Sequence, residues 1–162
     1  MYAGARRALS EAGYRQYELS NFARPGRECV QNLAYWTRKE YLGVGCAAHS
    51  FMRGIRWGNV TSLTDYLVAM EAGESPAAER TRVGEADARF EALMLGLRLT
   101  EGVSARAFTS RYGRTIERLW GDRLPALVER GLVEWSGGWL RLTERGMDLQ
   151  NVVLVELMDA NG

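Results

Sequence analysis

The amino-acid sequence predicts a mixed α/β fold with two regions, an αβ unit and a mainly helical region that contains a β-hairpin. Before residue 60, helical patterns alternate with short extended segments that end in Gly or Pro. From about Thr61 onward, apolar residues recur at helical spacing. We therefore divide the chain into residues 1–60 and 61–162.

The αβ unit begins with a predicted helix in AGARRALSEAG, which ends at Gly13 because glycine suits the left-handed conformation that follows a helix. The alternating segment YRQYELS predicts a strand, and Pro25-Gly26 predicts a turn. YLGVG is typical of a short buried strand. HSFMRGIRWGNV predicts a hairpin that turns near Arg53-Gly54.

The helical region begins with SLTDYLVAMEAG, a predicted helix with Thr61 or Ser62 as its N-cap. We interpret ESPAAERTRVGE as an exposed connector. DARFEALMLGLRL is the clearest amphipathic helix, because its apolar residues lie at positions i, i+3, i+4 and i+7. A short helix in SARAFTSRYG follows, and Pro125 should kink or divide the next helix. LVEWSGGWLRLT predicts a hairpin, and TERGMDLQNVVLVELM predicts a final helix.

The order of three helices, a hairpin and a last helix is typical of winged-helix-like domains, so DNA binding is one hypothesis. The charges argue against it. Acidic and basic residues alternate from Glu117 to Arg130, in the segment that would enter the DNA groove, so that attraction to phosphates is largely cancelled. A packing or partner-docking module is the favoured interpretation, without DNA as a partner.

Composition limits the classes of function further. The 21 basic and 20 acidic residues leave a net charge of +1, which gives no global attraction to nucleic acid or anionic membranes. Neither a signal peptide nor an apolar run long enough to insert into a membrane is present, so we expect a cytoplasmic protein. Cys29 and Cys46 should be reduced thiols, and the spacing of potential ligands predicts no metal site.

Special residue types are concentrated in ECVQNLAYWTRKEYLGVGCAAHS, residues 28–50. Gly43 and Gly45 would let the backbone approach a ligand closely, while Tyr35 and Trp36 offer flat faces for a macrocycle or a purine. His49 could bind a ligand or hold a backbone carbonyl. Ordinary packing explains the aromatic residues and glycines equally well. From the residues alone, this segment predicts only that a ligand pocket is available.

The segment YELSNFARPGRECVQNLAYWTRKEYLGVGCAAHS resembles the C-terminal part of the oxygen-independent coproporphyrinogen III oxidase-like proteins, which are radical S-adenosylmethionine proteins. It is more similar to their haem-chaperone branch. FEALMLGLRL, GV, GLVE and LRLTERGMDLQN continue the resemblance in the same order over nearly the whole chain. The resemblance implies that residues 1–60 are the final strands of a partial (β/α) barrel and that residues 61–162 are the family's small winged-helix-like C-terminal domain.

In that family, the front of the barrel holds a [4Fe-4S] cluster on a C-x-x-x-C-x-x-C motif and binds S-adenosylmethionine. The motif is absent from this sequence, so we expect no catalytic residue, no metal site and no bound cofactor in this chain alone. The haem-chaperone branch has a histidine implicated in haem binding where this chain has Gln31, a poor iron ligand. The resemblance does carry over Asn32, Tyr35, Trp36 and His49, and it implies that the segment with Gly43 and Gly45 forms a wall of the porphyrin and cofactor cavity.

Three functions follow as expectations. The first is the C-terminal portion of a haem chaperone-like protein, with haem or a porphyrin and the missing N-terminal half as partners; the resemblance leaves a homodimer open. The second is the tail of a true oxidase that decarboxylates coproporphyrinogen III. The third is a stand-alone docking module without chemistry of its own.

Overall fold

The computed structural model describes residues 2–158, which form a mixed α/β structure. Its first half consists of α1 (Tyr2–Glu11), β1 (Arg15–Gln16), β2 (Phe22–Ala23), α2 (Val30–Trp36), β3 (His49–Met52), β4 (Ile55–Asn59), α3 (Leu63–Glu71) and β5 (Ala77–Arg82). Its second half consists of α4 (Glu85–Gly96), β6 (Val103–Ser104), α5 (Ala105–Tyr112), α6 (Ile116–Trp120), α7 (Leu124–Glu129), β7 (Val133–Ser136), β8 (Trp139–Leu142), α8 (Glu144–Asp148) and α9 (Gln150–Met158).

The described strands form three small sheets with antiparallel pairing throughout. One is the β1-β2 pair, the second has the order β3-β4-β5, and the third has the order β6-β8-β7. The second sheet joins the two sequence regions, because β5 lies beyond residue 60 and pairs with β4. The division between residues 60 and 61 stays a prediction.

Helix boundaries follow local chemistry. The hydroxyl groups of Ser62, Ser104 and Thr115 each accept a hydrogen bond from a backbone N–H in the first turn of the following helix. Ser62 is thus the N-cap for which the sequence left two alternatives. The helix predicted around Pro125 is divided into α6 and α7, and the proline lies in the first turn of α7, where its missing N–H is tolerated.

The main hydrophobic core lies in the second half of the molecule. Leu93 of α4 and Leu97, directly after it, are fully buried and pack with Ile116 and Trp120 of α6. The indole Nε1 of Trp120 donates a hydrogen bond of 3.1 Å to the carbonyl oxygen of Leu157, which fixes α9 against this core. The helix predicted in DARFEALMLGLRL is therefore confirmed as α4, and its Leu93 lies in this core.

One strand prediction in the first half is wrong, and a second is confirmed only in part. YLGVG is not a buried strand, because only Tyr41 makes a bridge, with Phe51, while Leu42 and Val44 are 66% and 82% exposed. The predicted strand YRQYELS is reduced to β1 and a single bridge from Glu18 to Leu99. In both segments the backbone pairs too briefly for the local alternation to extend into a strand.

The predicted connector ESPAAERTRVGE is confirmed only in part, because half of it, Ala77–Arg82, forms β5. Its side chains are mostly exposed, so the strand lacks the apolar alternation by which a half-buried strand is recognised. It forms because the edge of β4 provides backbone partners, and Arg80 stacks on Trp57 with its Cζ 5.6 Å from the ring centroid.

The remaining predictions differ only in extent. The hairpins are confirmed as β3-β4, with Arg53 and Gly54 at positive φ in its turn, and β7-β8. The final helix is interrupted at Leu149 and becomes α8 and α9. Within residues 2–158, no helix is both long and apolar enough to cross a membrane.

Candidate functional site

Helix α2 carries four of the residues that the sequence selected: Gln31, Asn32, Tyr35 and Trp36. The amide nitrogen of Gln31 donates a hydrogen bond of 2.8 Å to the Tyr35 hydroxyl, one helical turn away. The amide nitrogen of Asn32 donates a 3.3 Å hydrogen bond to the Tyr17 hydroxyl. Gln31 therefore orients Tyr35, and Asn32 ties the helix to the segment after β1.

Tyr35 belongs to a row of aromatic rings that leads from α2 to the β3-β4-β5 sheet. Its ring meets Tyr41 edge to face, with 4.6 Å between centroids, and Tyr41 lies 6.4 Å from Phe51. The backbones of Tyr41 and Phe51 exchange two hydrogen bonds of 2.9 Å. This backbone bridge holds the rings of Tyr35, Tyr41 and Phe51 in fixed order, and we call them the aromatic row.

Trp36 has a different environment, because successive residues on a helix point about 100° apart. The Arg98 guanidinium lies 4.3 Å from the Trp36 ring centroid, in cation–π geometry. The indole Nε1 is buried without a hydrogen-bond partner among the described residues. A small cavity of about 230 Å³ next to Trp36 is also lined by Phe108, Tyr112 and Trp139.

The glycine-rich segment folds against the start of β3. The N–H of Gly43 donates to the Ser50 hydroxyl at 3.0 Å, and a Cβ on Gly43 would collide with the carbonyl oxygen of His49. Gly45 has a φ of +107°, and its N–H donates to the Tyr66 hydroxyl at 3.1 Å. Buried Asn59 donates to the Gly45 carbonyl oxygen at 2.9 Å. Gly43 is thus required by close backbone packing, and Gly45 by its positive φ.

His49 is exposed at the first position of β3, and its ring lies over Gly58 on the neighbouring strand. His49 and Phe51 are two residues apart on one strand and share a face of the sheet. The structure therefore places His49 on the same sheet face as the end of the aromatic row. The backbone of Gly43 lies against the carbonyl oxygen of His49.

Charged residues that were not identified as candidates from the sequence surround the end of α2. The α2 C-terminus is a Schellman motif, in which the N–H of Lys39 donates to the Ala34 carbonyl and the N–H of Arg38 to the Tyr35 carbonyl. Arg38 has a φ of +53°, at the position where glycine is usual. Its side chain is only 7% exposed, and its Nε donates a 2.9 Å hydrogen bond to Glu91 of α4.

Glu91 also accepts two hydrogen bonds of 3.0 Å from Arg56 of β4. Burial raises the pKa of Glu91, but the hydrogen bonds from Arg56 and Arg38 outweigh it and bring the pKa below its ordinary value of 4.5. The hydrogen bond with Glu91 raises the pKa of Arg56. The guanidinium groups of Arg38 and Arg56 lie 4.5 Å and 5.7 Å from the Phe51 centroid, so this ion network covers the last ring of the aromatic row.

Two further arginines connect α2 to the second half of the chain. Arg111 of α5 donates to the carbonyl oxygens of Thr37 at 3.2 Å and Arg38 at 2.8 Å. Arg98, stacked on Trp36, also forms an ion pair of 3.4 Å with the fully buried carboxylate of Glu18. No local sequence signal could have selected these residues, since each is more than 60 positions away from the α2 residue it contacts.

The donor atoms present do not fit an iron–sulfur cluster. The chain has two cysteines, of which Cys29 is exposed before α2 and Cys46 lies in the glycine-rich segment, so the three thiolates of a C-x-x-x-C-x-x-C motif cannot be assembled. Within residues 2–158, His, Cys, Asp and Glu side chains form no group of three that could hold a metal ion. The arrangement instead brings aromatic rings and guanidinium groups together around the end of α2.

Comparison with known proteins shows which proteins this chain resembles. Residues 84–149 match the model of the HemN C-terminal domain. The chain is 35% identical over 153 residues to heme chaperone HemW of Bacillus subtilis, covering 94% of this chain and 40% of that protein. It is 30% identical over 151 residues to heme chaperone HemW of Escherichia coli, covering 90% and 38%.

A solved structure shares the fold. Coproporphyrinogen III oxidase (HemN) from Escherichia coli, described as a radical SAM enzyme, superposes with a TM-score of 0.72 at 16% sequence identity, over 96% of this chain and 39% of that one. This chain spans about two fifths of the length of the curated relatives it matches. Residues 84–149 thus match the HemN C-terminal domain, and over nearly its whole length this chain is related to proteins named heme chaperone HemW.

Proposed function

We propose that this chain is the C-terminal portion of a haem chaperone-like protein of the cytoplasm and that it forms one wall of a haem or porphyrin cavity. The observation that carries the proposal is the aromatic row in the segment that HemW relatives share with this chain. Tyr35 begins this row, and the neighbouring Trp36 offers a second ring. The wall is not catalytic by itself.

The chemistry of the wall suits a flat, conjugated ligand. Aromatic side chains bind such molecules through offset stacking and edge contacts, without requiring a metal bond. Gln31 replaces a potential iron ligand and its amide is already bonded to Tyr35, so haem would be held here through its macrocycle. His49 is the exposed imidazole on the same side and is the residue of this wall that could contact iron.

The remaining part of the family architecture is also proposed. The order α4, β6, α5, α6-α7 and β7-β8, with the sheet order β6-β8-β7, supports a winged-helix-like interpretation of the second half. The [4Fe-4S] cluster and S-adenosylmethionine would belong to the part of the relatives' length that this chain does not span. The N-terminal half of such a protein is therefore a proposed partner of this chain.

The oxidase alternative rests on a weaker comparison. The likeness to coproporphyrinogen III oxidase is 16% in sequence and concerns the fold, whereas the HemW relatives reach 35% identity. The docking-module alternative explains the aromatic row by packing alone and gives no role to the similarity with the HemW relatives. A chaperone role is accordingly the function that these observations favour.

Titration of the 162-residue chain with hemin tests the proposal. The Soret absorbance should change saturably, with one hemin per chain. Tyr35→Ala should weaken hemin binding by roughly tenfold, because removing one aromatic contact forfeits about 1 kcal/mol or more. Trp135→Ala is the matched control, since Trp135 is an exposed aromatic residue of β7 outside the wall. A wild-type chain without a saturable Soret change, or equal losses in both variants, would refute the proposed wall.

A further inference from the structure

The HemN C-terminal domain contacts α2 through charged side chains rather than through apolar packing alone. Arg111, Arg98 and Glu91 all lie within residues 84–149, and each contacts one or two successive residues between Trp36 and Arg38. These contacts converge on the last turn of the helix that carries Tyr35 and Trp36. We call Arg111, Glu91 and Arg38 the clamp.

The clamp contacts the backbone at the end of α2 as well as the Arg38 side chain. Arg111 places two N–H donors on the carbonyl oxygens of Thr37 and Arg38, which follow directly after the helix. A fork of donors on two successive carbonyls fixes an orientation that a single point charge would not fix. The positive charge also lies at the negative end of the helix dipole.

Arg38 has a side chain at a helix-end position where glycine is usual, and that side chain belongs to the clamp. A left-handed non-glycine residue at a helix end is unfavourable compared with glycine, and such positions persist only where the surroundings hold them. The compensation here is the buried side chain between Glu91 and Phe51. Glycine would satisfy the backbone but could not make either contact.

From these contacts we infer that the HemN C-terminal domain positions the haem wall: Arg111, through the clamp, keeps Tyr35 and Trp36 in the orientation that binds the macrocycle. The inference rests on the proposed function for its ligand. Arg111 is a positioning residue and acts through the backbone of Thr37 and Arg38. Loss of the two hydrogen bonds from Arg111 should lower the fraction of chains whose wall can bind the macrocycle. If that fraction falls to about one tenth, the apparent Kd for hemin rises about tenfold.

The experiment compares wild type, Arg111→Ala, Arg111→Lys and the control Arg106→Ala. Arg106 is another exposed arginine of α5. Two quantities are measured for each folded variant: the hemin Kd from Soret titration, and hydrogen exchange of the backbone amides of Thr37 and Lys39. Arg111→Ala should raise the Kd about tenfold and accelerate exchange at these two amides, Arg111→Lys should lie between, and Arg106→Ala should match wild type.

The two measurements separate the inference from the proposed function. If hydrogen exchange at the Thr37 and Lys39 amides is unchanged in Arg111→Ala, the clamp is refuted, whatever the hemin Kd. Accelerated exchange with an unchanged hemin Kd would overturn the positioning role, while the wall proposal would stand. If wild type binds no hemin, the proposed function fails and the positioning of haem fails with it, and the exchange data then describe a structural contact only.

Discussion

Replacing Arg38 with glycine tests whether the end of α2 is held by a buried side chain or only by backbone geometry. Arg38 has a φ of +53°, so glycine removes an unfavourable backbone conformation of roughly 1 kcal/mol. Glycine also loses roughly 0.5–1 kcal/mol through greater freedom in the unfolded chain. These two contributions to the free energy of unfolding nearly cancel. The contacts of the Arg38 side chain therefore decide whether the substitution stabilises or destabilises the protein.

The side chain makes two contacts that glycine lacks. Its hydrogen bond to the Glu91 carboxylate, 2.9 Å long, is charge-assisted and worth about 1.5–3 kcal/mol. Its guanidinium lies 4.5 Å from the Phe51 ring centroid, a cation–π contact worth about 0.5–2 kcal/mol. Glu91 keeps its two bonds from Arg56 and is not left unpaired. Arg38→Gly should therefore lower the free energy of unfolding by about 3 kcal/mol.

Thermal unfolding followed by circular dichroism measures this loss. At about 2–4 °C per kcal/mol for a chain of this size, the Tm should fall by roughly 6–12 °C. Arg53→Gly is the matched control, because Arg53 has a φ of +51° but is exposed in the β3-β4 turn. That variant should be unchanged or slightly more stable. An Arg38→Gly chain that is as stable as Arg53→Gly would refute the importance of the buried side chain.

Three further substitutions test the charged network, the glycine-rich segment and the core. Because the pKa of Glu91 is lowered on folding, its contribution to stability is present above its unfolded pKa and disappears as the pH falls below about 4.5. Glu91→Gln should therefore reduce the urea midpoint at neutral pH and flatten its pH dependence below about 4.5. Gly43→Ala should lower the Tm by several degrees, because the added Cβ collides with the His49 carbonyl oxygen. Leu93→Ala, at a fully buried position, should reduce the free energy of unfolding in urea by about 2–5 kcal/mol.

Each of these predictions has a control or a contrary outcome. Glu85→Gln is the control for Glu91, because Glu85 lies on the same helix with a largely exposed carboxylate; equal pH profiles would contradict the role of the network. Gly4→Ala is the control for Gly43, since a Cβ there meets no atom within 4 Å, and this variant should be slightly more stable. For the core, a loss below about 1 kcal/mol in Leu93→Ala would show that α4 is not central.

Much of the fold was predictable because its signals are local. The spacing of Phe90, Leu93 and Leu97 identified α4, and the Ser-Gly-Gly turn identified the β7-β8 hairpin. Strand β5 was not predictable. Its residues are mainly polar and it exists because β4 offers a free edge, which is a property of the neighbour and not of the segment.

The candidate site divides in the same way. Tyr35, Trp36 and His49 were selected by their chemistry and by the family resemblance, and their ligand role stays a proposal. Glu91, Arg98 and Arg111 were not selected, although all three contact the end of α2 or the aromatic row. Among 21 basic residues, the sequence does not distinguish an exposed arginine from a buried arginine that forms an ion pair.

The sequence by itself determined the similarity of this protein to proteins named heme chaperone HemW, the helical second half and the aromatic segment around Tyr35, because motifs and periodicity depend on consecutive residues. Only the tertiary structure decided which charges meet. The ion pairs at Glu91, the fork of Arg111 and the stacking of Arg98 join residues more than 30 positions apart, and the free energy of such contacts depends on burial and distance. These quantities exist only after the chain has folded.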